Sequence, residues 1–232
     1  MQDFARLPVT FSLIAANVLV YLGVAASQVA AGTPWNIALV NQGGWALEAG
    51  ALVPTLVAGG EVLRLPTSLF LHSGLLHLTF NMVALYFLGS LAEGAFGRWR
   101  FLALYLLSGL AGGLAYLYFG DFGQPAVGAS GAIFGLLGSV LGYSMRRGTF
   151  SWRNPLIRQL LILLAINVYL GLSIPNISNT AHMGGLAGGL AFGWLMAPTV
   201  YSQKLGALRP VLLVLGAEAA LLVLWLLYPV LL

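Results

Sequence analysis

Cysteine is absent from the 232 residues, which removes disulfides, thiolate metal sites and a cysteine nucleophile in one step. Charge is nearly as scarce: Lys and Arg number 10, Asp and Glu 6, and charged residues make up 7% of the chain. A soluble domain of this length needs far more charge to cover its surface. The net charge of +4 does not point to nucleic acid, because the basic residues are scattered over short loops. What remains is overwhelmingly apolar. Several runs near or above ~18 residues carry no charge, the signature of transmembrane helices. The 30 glycines suit helices that approach closely where no hydrophobic force drives them together. The expected fold is an all-α, polytopic membrane helical bundle. The apolar run from Pro8 has no small-residue cleavage site of the usual kind behind it, and reads as a retained helix rather than a signal peptide.

Hydropathy divides the chain into seven spans at about 8–28, 75–95, 101–119, 130–145, 156–173, 181–198 and 210–231. If the N-terminus is cytoplasmic, alternation puts Arg6, Arg98, Arg100, Arg146, Arg147, Arg153, Arg158, Lys204 and Arg209 on the cytoplasmic side and Arg64 alone outside. That is the bias of the positive-inside rule, and the opposite orientation would reverse it. The C-terminus is then extracytoplasmic. The first external segment, about 29–74, is long enough to suggest a function of its own. Trp35, Trp45 and the apolar stretch 49–57 suit a segment lying in the outer interface.

Polar residues are few and collect at the outer ends of spans. The fourth span begins at Ser130 within Gly128-Ala129-Ser130-Gly131, the sixth at Ala181-His182, and the second near His77. All three run inward, so these residues lie at similar depth and can converge. Ser130 reads either as a plain N-cap or as a nucleophile. A helix start favours the second role, because its free N–H groups and positive dipole end can hold an oxyanion. A neutral His182 can accept the serine proton and return it to a leaving amine. No acidic residue offers itself as a third member: Asp121 falls on an outer loop, and Glu218 lies in the seventh span near the inner side. A Ser-His dyad is expected, with Phe134, one turn after Ser130, stacked on the imidazole. His77 and Asn81, four apart, share a helix face and offer donors for an oxyanion. His72 and His77, five apart, face different ways and have no accompanying carboxylate, so no metal is expected. A proton relay or transporter is another use of intramembrane His and Asn, but charged midplane groups of the kind transporters carry are few here.

Small residues set the packing. Gly185, Gly189 and Gly193 form one ridge, and Gly131, Gly135, Gly138 and Gly142 another. Their close approach would bring Ser130 and His182 together, so a bulky residue at Gly185 should part them. Glu93 stands near a helix C-terminus, where a carboxylate needs a partner. Arg98 and Arg100 are the candidates.

In this order, the motifs resemble those of the rhomboid family of intramembrane serine proteases over about 8–198. They are Gly60-Glu61-x-x-Arg64-Leu65; His72, His77 and Asn81; Gly89-x-x-x-Glu93-x-x-x-Gly97; Gly128-Ala129-Ser130-Gly131; and Ala181-His182 with Gly185 and Gly189. Leu63 stands where the family often has Trp before the arginine. The resemblance implies Ser130 as nucleophile and His182 as general base, with His77, Asn81 and the Ser130 N–H as oxyanion donors. It gives supporting places to His72, Gly128 (on the substrate-facing loop), Gly131 and Arg64 (bracing the first loop). It further implies a six-helix core at 1–199 with an added helix at 200–232, and a mobile cap at 171–180. A side entrance would lie between the second and fifth spans. Substrates would be single-pass membrane proteins cut near the outer end of an unwinding helix. No cofactor and no nucleic acid are involved, the lipid bilayer is the medium, and a bacterial plasma membrane is the expected location. A catalytically silent relative that binds membrane proteins is the alternative, though such a chain is expected to lack Ser130 or His182.

Overall fold

A computed structural model describes residues 7–174 and 177–197, together with 216, 219–221, 223, 224, 226 and 227. It is helical throughout, with only two isolated antiparallel bridges among the described residues. The elements are α1 (Pro8–Ala30), four short helices α2 (Trp35–Val40), α3 (Gly43–Glu48), α4 (Pro54–Ala58) and α5 (Arg64–Thr67), a 3-10 turn (Ser68–Phe70), then α6 (Leu75–Phe96), α7 (Arg98–Phe119), α8 (Ser130–Arg146), α9 (Pro155–Ser173) and α10 (Asn179–Met196). Proline opens α1 and α9, where its missing N–H costs nothing. One residue joins α6 to α7. Gly97, at φ +77°, takes a left-handed turn that a side chain would resist.

Among the described residues, four helices, α1, α6, α7 and α9, are long and apolar enough to cross a membrane. The other two long helices are shorter: α8 is enclosed, while α10 keeps Met183 and Trp194 exposed. In α8, 17 residues long, 131–142 are buried without a break. α10 lies between α7 and α8 at backbone contact. A Cβ built on Gly185 would collide with the Gly131 carbonyl, one on Gly189 with that of Gly135, and one on Gly193 with that of Ser139. The relation is mutual, for Cβ atoms on Gly138 and Gly142 would strike the carbonyls of Leu186 and Leu190. On the other side, Gly112 of α7 faces the Ala181 carbonyl, which a Cβ would approach to 2.6 Å. Without water to drive association, this close van der Waals fit is what holds the three helices in one register.

Two expectations need correction here. Among the described residues, Glu93 is held not by Arg98 or Arg100 but by the start of α1. Its carboxylate, 3% exposed, accepts from the backbone N–H of Val9 at 3.1 Å and of Thr10 at 2.8 Å, and from the Thr10 hydroxyl at 2.7 Å. A carboxylate is stabilised at a helix N-terminus, where free N–H groups and the dipole are positive. The stretch 49–57 is also not simply an interfacial skin. Trp35 is exposed, but Ala51, Leu52 and Val57 are buried, and Leu52, Val57 and Leu65 form a second small core with Leu114, Tyr116 and Leu117 of α7. Arg64 clasps this region: Nη1 donates to the carbonyls of Leu47 (2.7 Å) and Ala51 (3.0 Å), and the guanidinium pairs with Glu61 at 2.7 Å. Within 210–231 the described residues are helical. Leu221 packs on both cores, and the Tyr118 hydroxyl donates to the Leu224 carbonyl at 3.4 Å. Arg6, Lys204, Arg209 and Glu218 lie outside the described residues.

Candidate active site

Two separate segments hold the turn before α8. Leu52 and Ala126 exchange both backbone hydrogen bonds, at 2.9 and 2.8 Å, and the Gly128 N–H donates to the Ser68 carbonyl at 2.9 Å. Gly128 sits at φ +124°, a conformation open to glycine. A Cβ there would also lie 2.8 Å from both Cε1 and Nε2 of His77, and 3.6 Å from Nδ2 of Asn81. The turn therefore runs directly against the His77 ring and delivers Ser130 as the first residue of α8. The plain N-cap reading of Ser130 does not hold: Ala129 occupies the cap, and no side chain caps the helix.

The Ser130 hydroxyl lies 2.8 Å from Nε2 of His182. Both the helix start and the ring are set by neighbours. Ser178 caps α10, its hydroxyl accepting from the Ala181 N–H at 3.2 Å, and Asn179 Nδ2 donates to the Gly171 carbonyl of α9 at 2.8 Å. Phe134 lies parallel to the imidazole, with centroids 4.2 Å apart and planes 10° apart. A hydroxyl that donates to Nε2 requires the neutral tautomer with its proton on Nδ1. The Gly131–Gly185 contact described above is one residue from Ser130 and three from His182, so backbone packing fixes their separation.

Opposite them stand His77 and Asn81 in the first turns of α6. The Ser73 N–H points to His77 Nδ1 at a long 3.5 Å, and the Ser73 hydroxyl lies 3.2 Å from it. With Nδ1 as acceptor, Nε2 carries the proton, and it is Nε2 that faces the Gly128 turn. Asn81 is 6% exposed, and its Nδ2 is buried without a hydrogen-bond partner among the described residues. An orphaned buried donor costs ~1–3 kcal/mol, a cost explained if the group awaits an acceptor on a ligand. His72 supports His77 from behind, ring edge against ring with centroids 5.0 Å apart. Burial first, and His77 second, push the His72 imidazole down to about 3 against a small opposing pull from the Phe70 carbonyl, so it is neutral.

Ser130, His182, His77 and Asn81 all line one cleft of about 1460 Å³. Its lining includes Tyr116, Asp121 and Gln124, together with Phe80, Val83 and Phe87 of α6 and Leu160, Leu163 and Leu170 of α9. Of the segment expected as a cap, 171–173 belong to α9 and 179–180 to α10, while Ile174, Ile177 and Ser178 line the cleft. Pro175 and Asn176 lie outside the described residues. Arg64 and Glu93 do not themselves line the cleft; they act on the first loop and on α1. Sequence reasoning missed Ser73, Ser68, Ser178 and Asn179. The polar run 178–180 before an apolar helix is an N-cap signature that would have found Ser178. Nothing local marks Ser68 or Ser73.

Comparison with known proteins decides the family: residues 59–199 match the Rhomboid domain. The chain belongs to the rhomboid family. It is 39% identical over 140 residues to the rhomboid protease GluP of Bacillus subtilis, covering 60% of this chain and 27% of that protein. It is 38% identical over 149 residues to RHOMBOID-like protein 5 of Arabidopsis thaliana, covering 63% and 48%. To Rhomboid-type serine protease 2 of Emericella nidulans it is 32% identical over 157 residues, covering 66% and 31%. The chain thus spans between about a quarter and a half of the length of these relatives. Rhomboid membership and the apolar helices together make this an integral membrane protein with a helical membrane-bundle fold.

Proposed function

We infer that this rhomboid chain is an intramembrane serine endopeptidase working by a dyad of Ser130 and His182. The observation that carries the reading is the 2.8 Å approach of a serine hydroxyl to an imidazole at the positive end of a helix, inside a largely apolar cleft. Ser130 Oγ attacks the substrate carbonyl while His182 Nε2 takes its proton. The oxyanion receives hydrogen bonds from His77 Nε2–H, Asn81 Nδ2–H and the Ser130 N–H, donors that are in place before charge develops. His182 then protonates the leaving amine. Water entering from the outer side releases the acyl group, with His182 again as base. Phe134 keeps the imidazole in plane, and the Gly131–Gly185 and Gly135–Gly189 contacts hold its distance to the hydroxyl. Gly128 leaves room for the substrate carbonyl beside His77.

The substrates are single-pass transmembrane proteins that enter from the bilayer between α6 and α9. The N-terminus is cytoplasmic, as the distribution of basic residues requires, so cleavage falls near the outer end of the substrate helix. Residues 1–199 form the catalytic core and 200–232 an accessory span. The reading is tested with the purified protein in liposomes carrying a panel of single-pass reporters. Native protein cleaves at least one of them, and Ser130→Ala and His182→Ala do not, while melting at the native temperature. Binding of a reporter without cleavage by native protein would instead favour a silent membrane-protein-binding relative.

A further inference from the structure

Asn167 is out of place. It lies within α9, a helix apolar enough to span a membrane, and lines the cleft together with Leu156, Gln159, Leu160, Leu163 and Leu170. Its spacing to Leu163 and Leu170, four and three residues away, puts it on one helix face with them. A polar side chain in hydrocarbon surroundings is costly and calls for a partner. Half of the need is met: Nδ2 donates to the Leu163 carbonyl at 2.8 Å. Because a carbonyl only accepts, this contact also fixes which end of the amide is nitrogen. The amide oxygen, on a residue that lines the cleft, accepts no hydrogen bond among the described residues.

Depth gives the acceptor a purpose. Asn167 is six residues from the outer end of α9, and Asn81 six residues from the outer end of α6, so both lie about 9 Å in along their helices. Both residues line the same cleft as Ser130 and His182, Asn81 from α6 and Asn167 from α9. A peptide bond in a helix is shielded by its own backbone hydrogen bonds, and breaking them in a lipid environment exposes N–H groups with no water to receive them. We propose that the Asn167 amide oxygen accepts a backbone N–H of the substrate helix as it unwinds beside the cleft, and so favours substrates that arrive still helical. This rests on the protease reading above. Asn167 does not touch the reacting carbonyl, and its contribution falls on opening the helix rather than on bond cleavage.

The experiment compares two reporters in liposomes, identical but for Gly and Pro substitutions that break the helix beside the cleavage site of one. Asn167→Leu, close in volume but without an acceptor, lowers kcat/KM for the intact-helix reporter about two- to tenfold, the worth of one net hydrogen bond, and leaves the broken-helix reporter unchanged. Asn167→Ala shows the same selective loss without added bulk, and Asn167→Gln recovers part of it. Unchanged rates on both reporters, or equal losses on both in Asn167→Leu and Asn167→Ala, overturn the proposal. Failure of native protein to cleave either reporter overturns the protease reading instead, and is distinct from both.

Discussion

A single methyl group at Gly185 is the sharpest probe of how this site is held. A Cβ there would overlap the Gly131 carbonyl oxygen and sit 2.7 Å from the carbonyl carbon. Carbon atoms in contact rest at ~3.5–4.0 Å, and the atoms struck are backbone, which cannot rotate away. In Gly185→Ala, α10 must therefore retreat from α8 by about 1 Å, carrying His182 with it. Added to the present 2.8 Å between Ser130 Oγ and His182 Nε2, that takes the pair beyond the ~3.2 Å limit of a useful hydrogen bond. Overpacking of this kind costs ~1–3 kcal/mol in stability, and a 1 Å misplacement at a reacting centre costs about 10²-fold in rate. The assay pairs reporter cleavage in liposomes with thermal unfolding in detergent. Gly94→Ala is the control, since nothing lies within 4 Å of a Cβ there. The expected result is a modestly destabilised Gly185→Ala that cleaves about a hundredfold more slowly, beside a native-like Gly94→Ala. Native rate and native melting in Gly185→Ala would refute the argument that helix packing sets the dyad.

Three further outcomes follow from the same geometry. Gly128→Ala must adopt φ +124° and meet the His77 ring, so kcat is expected to fall at least tenfold with little change in melting temperature; a native rate would show that the turn is free to move. Asn81→Ala removes a preorganised donor and should slow turnover about 10²-fold, less where the remaining donors compensate, and unchanged single-turnover rates would remove it from the oxyanion site. Glu93→Ala strips the start of α1 of three hydrogen bonds and leaves buried N–H groups unpaired. A loss of ~1–3 kcal/mol per stranded group should appear as a lowered midpoint in mild denaturant, and a native midpoint would mean that the contact contributes nothing.

The long helices were legible because hydropathy requires no knowledge of tertiary structure. Spans read at 75–95, 130–145 and 156–173 appear as Leu75–Phe96, Ser130–Arg146 and Pro155–Ser173. The approach of Ser130 to His182 was legible for a different reason. Small residues at four-residue intervals on two spans let them interlock closely, and the register of Gly131 on Gly185 places the hydroxyl near the ring. The Phe134 stack followed from the same helical spacing. What escaped was set by partners distant in sequence. Nothing near Glu93 announces that its donors are Val9 and Thr10, and the arginines beside it were the natural guess because they were close in the chain. The sequence of the first loop suggests a segment lying in the outer interface, since helices of four to six residues leave no periodicity to detect. Its inward face depends on α7, which the loop's own sequence cannot reveal. Asn167 was overlooked because one amide in an apolar run carries no motif, and its meaning depends on which stripe of α9 faces the cleft.

The account stands most directly on whether Ser130 is a reactive nucleophile activated by His182. Purified native protein treated with a fluorophosphonate, digested and read by mass spectrometry should carry the adduct on Ser130, with labelling abolished in Ser130→Ala and strongly reduced in His182→Ala. Native, folded protein that remains unlabelled at Ser130, or labels equally well without His182, would contradict it.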